Sequence, residues 1–347
     1  MTVTMRIGVS VFYWPWFAVE EQLSLARQAD RLGFDSVWAA ESYGQDVVAT
    51  LGALSMVTDT IKLGAGILAI PARQPATAAM AAASLDRLSR GRLLLGLGLS
   101  GPQVSEGWYG VPFTAPLRRT REYVESVRQA LAGGSLEYAG QEWTVPAPGG
   151  LGLGKPLRLL GAPVQKRIPI YLGAGGPRTV EQAGEIADGW LPILFSPEHA
   201  QLLTEPLLAG LRKAGRTRGD VVVAPTVPAA VHRDLDTARD HVRPMIAFYL
   251  GGMGAKGKNF YVELAERYGH GAEARACQDA FLAGDRPRAQ AALTAELIDL
   301  VALTVTPTTL ATRLADYEAA GVDTIVVIPF GDRPKLLEML AAASWPS

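Results

Sequence analysis

The sequence predicts an α/β fold: a (β/α)8 TIM barrel with insertions, formed as one domain by residues 1–347. Short, almost wholly apolar runs alternate along the chain with segments of helical spacing. Apolar runs without polar alternation are typical of strands buried on both faces of a parallel sheet. The length suits one barrel, which needs ~250 residues and can exceed ~400 with insertions, although two domains of ordinary size would also fit.

Eight strands are predicted, and their alternation with helices favours a closed barrel over an open doubly wound sheet. Gly33 ends the first helix as a C-cap, and Asp46 can cap the start of the second. The strands are expected at residues 5–11, 34–40, 61–68, 92–99, 168–174, 187–192, 220–231 and 322–328. The helices are expected at residues 19–32, 46–57, 75–89, 117–131, 177–186, 197–214, 235–250, 288–303, 308–320 and 335–343.

Two insertions interrupt the alternation, at about residues 135–167 and 251–286. In the first, two short runs around residues 137–145 predict a hairpin, and residues 146–163 are rich in Gly and Pro without periodicity. The second is predicted to be irregular or mixed, as is the stretch 102–116. Insertions of this length suggest a functional or lid role.

Composition excludes several classes of function. The net charge is −1 and the basic residues are scattered, so no nucleic-acid footprint is expected. The apolar runs are shorter than the ~18 residues of a membrane span, and residues 1–17 lack the features of a signal peptide. The lone Cys277 allows no internal disulfide, which suits a cytoplasmic location. The four histidines are spread without metal-ligand spacing, so no metal site is expected.

The fourth strand carries a literal G-x-G-x-x-G pattern, Gly96 to Gly101. A dinucleotide site would need a helix opening inside the motif and an acidic residue at the end of the next strand. Here Pro102 and an irregular stretch follow, and Glu122 lies in a helix. The favoured interpretation is a buried barrel strand whose glycines leave room for a ring system, since glycine in a strand marks a close approach.

A glycine turn, Gly173 to Gly176, joins the fifth strand to a helix. Backbone N–H groups at such a helix start bind anions, and Pro177 suits the first helical position. A phosphate or another ligand anion is therefore favoured over an ordinary tight turn, with Arg178 or Thr179 as additional contacts.

Other polar and aromatic residues follow strands, where barrel enzymes place their chemistry. Glu41-Ser42-Tyr43 follows the second strand, and its carboxylate is either a solvated loop group or a group facing the barrel mouth. Trp14-Pro15-Trp16 follows the first strand and suits either a ligand wall or packing. Lys256, Lys258 and Arg286 are better explained as a solvated basic surface than as contacts to an anionic substrate.

Together these segments resemble the bacterial luciferase-like monooxygenase superfamily, and within it the branch that uses coenzyme F-420, an 8-hydroxy-5-deazaflavin. The match runs in order along nearly the whole chain. The segments that carry it are 34–41, 61–67, 89–98, 168–177, 189–190 and 320–324.

The resemblance implies an oxidoreductase that moves hydride between coenzyme F-420 and a small organic substrate, in a homodimer. A deazaflavin has carbon where a flavin has its reactive nitrogen, so it transfers hydride in two-electron steps and reacts poorly with oxygen. One alternative is an FMN-dependent monooxygenase, which would use O2 and a flavin reductase partner. Another is a flavin-binding protein without catalysis.

The resemblance also implies site residues. A cis peptide between Gly66 and Ile67 should back the central ring, and the turn at residues 173–177 should contact the phosphate. Glu41 is predicted to be catalytic. Ser42 stands where several deazaflavin enzymes have a histidine, so no residue is identified here for the proton-relay role of that histidine. The residues predicted to bind the cofactor are Ser10, Ala40, Ser42, Gly66, Ile67, Gly96, Gly98, Ser100, Glu106, Ala174, Gly175, Gly176 and Arg178.

Overall fold

The computed structural model describes residues 5–12, 17–41 and 43–344. Its strands are β1 (Arg6–Phe12), β2 (Ser36–Ala39), β3 (Lys62–Ala65), β4 (Leu68–Ala69), β5 (Leu93–Gly98), β6 (Tyr138–Ala139), β7 (Thr144–Val145), β8 (Ile170–Leu172), β9 (Gly189–Trp190), β10 (Val222–Val223), β11 (Thr226–Val231), β12 (Leu303–Val305) and β13 (Thr324–Pro329). Its helices are α1 (Val19–Arg31), α2 (Val47–Val57), α3 (Pro75–Leu88), α4 (Pro102–Gly107), α5 (Pro116–Leu131), α6 (Pro177–Ile186), α7 (Ala200–Lys213), α8 (Leu235–Gly252), α9 (Phe260–Arg267), α10 (Gly271–Leu282), α11 (Arg286–Ala291), α12 (Ala295–Val301), α13 (Leu310–Ala319) and α14 (Arg333–Ser344).

One curled parallel sheet contains most of the strands, in the order β10-β9-β8-β5-β3-β2-β1-β13-β11-β12, with β4 paired to β5 beside this path. The segment around residues 221–230 closes the ring. Ala224 N–H donates to the Trp190 carbonyl at 2.9 Å, and Asp323 N–H donates to the Val223 carbonyl at 3.0 Å. Because the same segment pairs with β9 on one side and with β13 on the other, the sheet closes on itself and the predicted barrel is confirmed.

Side chains from around the ring meet in its centre. Trp38 of β2 and Tyr171 of β8 form an edge-to-face pair with ring centroids 5.3 Å apart, and Trp38 Nε1 donates to Ser36 Oγ at 2.9 Å. Burial raises the pKa of Tyr171 to about 12. The other members of this buried cluster are Leu94, Leu191, Ala224 and Val326. The barrel interior is therefore a packed core, which leaves the strand ends for ligand binding.

The second insertion differs from the prediction, because it is helical. Asn259 and Asp285 cap α9 and α11 with their side chains, and Gly269 and Gly284 separate the helices with positive φ angles of 90° and 83°. These short helices lack the long apolar periodicity that sequence analysis detects.

Helix α8 crosses the mouth of the barrel. It has 18 residues, or about 27 Å at 1.5 Å per residue. A Cβ added at Gly331, just after β13, would lie 3.0 Å from His241 Cδ2 in its first half. A Cβ added at Gly101, after β5, would lie 3.7 Å from the carbonyl of Met253, just past its end. Since β1, β2 and β3 separate β13 from β5 in the sheet, the two ends of the helix lie near strand ends on different sides of the mouth.

Three local predictions have different outcomes. The hairpin in the first insertion is confirmed as the antiparallel pair β6-β7. The stretch after Gly101 is not irregular throughout, because α4 occupies its first six residues. Strand β12 was not predicted, and its first residue, Leu303, was expected to end a helix, since no Gly or Pro separates it from the helical residues before it. In the structure β12 pairs with the end of β11.

Candidate functional site

The Ile67 side chain connects the ends of three strands. The Gly66–Ile67 peptide after β3 is cis, as predicted. A Cβ added at Gly98, at the end of β5, would lie 2.5 Å from Ile67 Cδ1, and one added at Gly173, after β8, would lie 3.0 Å from Ile67 Cγ2. The structure thus brings together the residues that were predicted separately on β3, β5 and β8.

The glycines of β5 make room for protein atoms. A Cβ added at Gly96 would lie 3.0 Å from Leu191 Cδ1 and would collide with the Ala65 carbonyl oxygen, while Gly98 faces Ile67. The interpretation that these two glycines leave space for a ring system is therefore wrong. They allow β3 and Ile67 to approach β5, and backbone contact of Gly96 and Gly98 with a cofactor stays a prediction.

Glu41 is a buried carboxylate with several donors. Its side chain is 4 % exposed. Arg73 donates from Nη1 to Oε2 at 2.7 Å and from Nη2 to Oε1 at 2.8 Å. Ala69 N–H donates to Oε2 at 2.7 Å, and Val47 N–H donates to Oε1 at 3.4 Å. A catalytic role for Glu41 stays a prediction, and these bonds favour a positioning role that ties the end of β2 to β4.

Sequence reasoning missed Arg73. Its hydrogen bond with Glu41 raises the pKa of its guanidinium despite burial, and it also pairs with Asp46. Its carbonyl accepts a hydrogen bond from Tyr123 Oη at 3.1 Å. Burial and the charge of Glu41 raise the pKa of nearby Tyr109. The signal available in the sequence was its position. It is a lone arginine between an apolar strand and a helix that begins with proline, and neither element has another basic residue at the end next to it.

The glycine turn after β8 starts a helix, as predicted. Gly176 is the N-cap of α6 and Pro177 is its first residue. The Ala174 carbonyl accepts a hydrogen bond from Trp190 Nε1 at 2.8 Å. A Cβ at Gly175 would collide with the Phe260 ring of α9, whereas Arg178 is exposed. Anion binding by this turn stays a prediction.

The remaining predicted cofactor residues are more dispersed. Ser10 is buried in β1 opposite Trp38, and Ala40 is half-buried after β2. Ser100 is exposed, with φ of 59° in the left-handed region. Ser42, like the aromatic residues at positions 14–16, lies outside the described residues.

Two acidic residues hold loops. Glu106 is exposed and accepts the Phe113 N–H at 3.0 Å, and its predicted contact with the cofactor stays a prediction. Glu122 accepts the N–H groups of residues 141, 142 and 143 at 3.0, 2.8 and 3.1 Å. Its task is therefore to hold the β6-β7 hairpin on α5, which agrees with its exclusion as a nucleotide-binding residue.

Within the described ranges, no group of three or more His, Cys, Asp or Glu residues could hold a metal ion. No helix in the same ranges is long and apolar enough to cross a membrane. Cys277 is buried, and burial raises the pKa of its thiol to about 12. A thiol with so high a pKa is a poor nucleophile at neutral pH, as expected for a structural residue.

A closed parallel barrel with turns and side chains gathered at its strand ends defines the chain as an α/β-barrel protein. Within that class the chain belongs to the luciferase-like monooxygenase family, whose model matches residues 3–324. The family predicted from the sequence is confirmed.

Relatives extend over the whole chain. A Mycobacterium tuberculosis protein, provisionally named as a coenzyme F-420-dependent oxidoreductase, is 37% identical over 346 residues, covering 98% of this chain and 99% of its own. The 5,10-methylenetetrahydromethanopterin reductase of Archaeoglobus fulgidus is 31% identical over 334 residues, covering 94% of each chain. The solved structure of the coenzyme F-420-dependent tetrahydromethanopterin reductase of Methanopyrus kandleri matches with a TM-score of 0.84 at 24% identity, covering 97% of each chain, which supports the fold.

Proposed function

We propose that this chain is a coenzyme F-420-dependent oxidoreductase that transfers hydride between the deazaflavin and a small organic substrate. The observation that carries this proposal is the full-length similarity, at 37% identity, to a protein named as such an enzyme. Similarity over 98% of the chain extends over almost the whole barrel, and the chemistry of a barrel depends on its strand ends.

The residues at the mouth fit the cofactor. Among the described residues, an added Cβ at Gly176 would meet only Thr179 Oγ1, at 3.8 Å, and none caps the first turn of α6 with its side chain. The backbone there is open to a phosphate, which the positive end of a helix favours. We infer that Ala174, Gly175, Gly176 and Arg178 hold the phosphate side of the cofactor.

Ile67 and Gly66 would back the ring system. The residues that follow them are fixed in place, because Glu41 accepts the Ala69 N–H at 2.7 Å and is itself bound by Arg73. When bound, the deazaflavin supplies the carbon that gives or takes hydride. The protein's part is to orient ring and substrate and to exclude water, and a rigid backing wall serves that purpose.

Several finer points belong to the same proposal. The substrate is a small molecule, the enzyme acts in the cytoplasm, and it forms a homodimer in which each chain is one barrel domain. Partition of the chain into domains and the oligomeric state can be measured by limited proteolysis and by light scattering.

Equilibrium titration tests the cofactor. Coenzyme F-420 is added to the protein and its fluorescence is followed, with FMN titrated in parallel. We expect F-420 to bind and FMN to bind much more weakly. Tight binding of FMN without binding of F-420 would favour the monooxygenase alternative. Binding without hydride transfer across a broad panel of alcohols, aldehydes and imines would favour a flavin-binding protein.

The phosphate contact has its own test, at Gly176. A side chain at Gly175 would strike Phe260 and perturb packing, whereas Gly176 has open space and a φ of −72° that any residue adopts. Gly176→Val should therefore weaken F-420 binding about tenfold, or about 1.4 kcal/mol, without changing the unfolding midpoint. Inorganic phosphate should compete with F-420 for the wild type. Unchanged F-420 affinity in Gly176→Val would contradict the anion role.

A further inference from the structure

A cavity of about 520 Å³ lies beside α8, and its lining within the described residues includes none of the cofactor residues predicted above. The volume is within the ~300–1,000 Å³ range of small-molecule pockets. Its lining includes Tyr43, Pro244, Phe248, Phe281, Arg286 and Gln290.

The cavity lies at the mouth of the barrel. Tyr43 comes shortly after β2, and Pro244 and Phe248 lie on α8, which runs across the mouth from the end of β13 to the end of β5. The cavity is therefore bounded by the loop after β2 on one side and by α8, α10 and α11 on the other. This is the end of the barrel at which parallel α/β barrels bind substrates.

The walls are mainly aromatic and apolar. The rings of Phe248 and Phe281 meet edge to face with centroids 6.2 Å apart. Tyr43 adds a third ring, which lies 6.4 Å from the ring of Trp108. Offset and edge-to-face contacts of this kind suit a flat, unsaturated ligand.

Arg286 supplies the positive charge of the cavity. Its Cζ lies 3.4 Å from the Phe281 ring centroid, and its Nη1 donates to the Phe281 carbonyl at 2.7 Å. Stacking and this hydrogen bond fix the plane of the guanidinium and leave its other N–H groups available. Within the described part of the chain Arg286 forms no ion pair, and no lining residue of the cavity is acidic. Lys256, by contrast, is paired with Asp279 at 2.7 Å.

We propose that this cavity is the substrate pocket and that it takes a planar organic carboxylate. The carboxylate would pair with Arg286, because a guanidinium with a fixed plane binds a carboxylate through two parallel hydrogen bonds. The ring of the ligand would lie among Tyr43, Phe248 and Phe281. This inference rests on the proposed function, but ligand binding to the pocket can be measured without turnover.

The test compares two probes of one shape, 2-naphthoate and its neutral analogue 2-naphthamide, by isothermal titration with the F-420-loaded protein. We expect 2-naphthoate to bind the wild type at least tenfold more tightly than 2-naphthamide. Arg286→Gln should remove that preference. Arg288→Gln is the matched control, because Arg288 is an exposed cation on the same helix that does not line the cavity, and it should bind both probes like the wild type.

A second variant tests the walls. Gln290→Trp adds a ring inside the cavity and should weaken binding of both probes, while Arg286→Gln weakens only the carboxylate. Equal binding of 2-naphthoate to the wild type and to Arg286→Gln, with F-420 still bound, would overturn the pocket and leave the proposed function intact. Failure of the wild type to bind F-420 would instead overturn the proposed function.

Discussion

Replacing Glu41 by Gln separates a positioning role from a catalytic one. The substitution keeps the shape of the side chain but removes its charge and replaces one acceptor oxygen with an NH2 donor. Because Arg73 and Ala69 both donate to this carboxylate, the amide must turn its NH2 group towards one of these donors.

The expected cost follows from burial. Breaking one partner of a buried ion pair costs ~3–5 kcal/mol, and hydrogen bonds to charged groups contribute ~1.5–3 kcal/mol each. Arg73 is 13 % exposed and keeps its second partner, Asp46, which is 52 % exposed. The remaining pair lowers the loss, so Glu41→Gln should reduce the free energy of unfolding by about 2–3 kcal/mol.

Urea unfolding, F-420 titration and steady-state kinetics together decide between the roles. If Glu41 is a positioning residue, Glu41→Gln should lower stability, weaken F-420 binding and cause a modest fall in kcat with saturating cofactor. If Glu41 is a general acid, kcat should fall by ~10²–10⁴-fold with little change in stability. Asp46→Asn is the control and should cost less than ~1 kcal/mol, as for exposed pairs. A Glu41→Gln protein as stable as the wild type would refute the positioning argument.

Three further predictions concern the scaffold. In urea unfolding, Gly64→Ala should destabilise the barrel by ~1–3 kcal/mol, because the added methyl group overpacks against the Trp38 ring. Gly52→Ala lies in open space on α2 and should stabilise the barrel by up to ~1 kcal/mol in the same assay. Glu122→Gln should speed amide hydrogen exchange in the β6-β7 hairpin without affecting distant strands; equal exchange would count against its anchoring role. Burial opposes ionisation of Asp188, but hydrogen bonds from Arg167 and neighbouring donors outweigh it and lower its pKa. The stability that Asp188 contributes is therefore present above its unfolded pKa of ~4 and is lost as the pH falls through its lower folded pKa. Asp188→Asn should accordingly make the free energy of unfolding less dependent on pH at the acid end of the profile.

Much of the fold could be predicted because the barrel strands are buried on both faces. Runs such as Leu93–Gly98 are short and apolar throughout, without polar alternation, and this pattern indicates a strand buried on both faces. Strand β12 has only three residues and follows a helix without a breaking residue, so its pairing with β11 could not be predicted from local pattern. The short helices of residues 251–286 depend on caps and on packing across the mouth.

The candidate site was predictable where its residues follow strands. Glu41, Gly66 and Gly176 could be placed at the mouth from chain order alone, because the carboxyl ends of parallel strands lie together. Arg73 could not, since its partner Glu41 lies 32 positions away and nothing local indicates the pairing. Ile67 itself was predicted, but its contacts with Gly98 and Gly173 were not, and they show that those glycines serve protein packing.

The pairing of β1 with β13, in which Arg6 lies opposite Thr324, has a consequence for biosynthesis. The ring cannot close until β13 has left the ribosome. Until then β1 and β11 keep an unpaired edge, and such edges recruit other chains. Loss of the residues from 324 onward would therefore leave a chain with most of its apolar core but two open strand edges, and it should accumulate in the insoluble fraction when expressed.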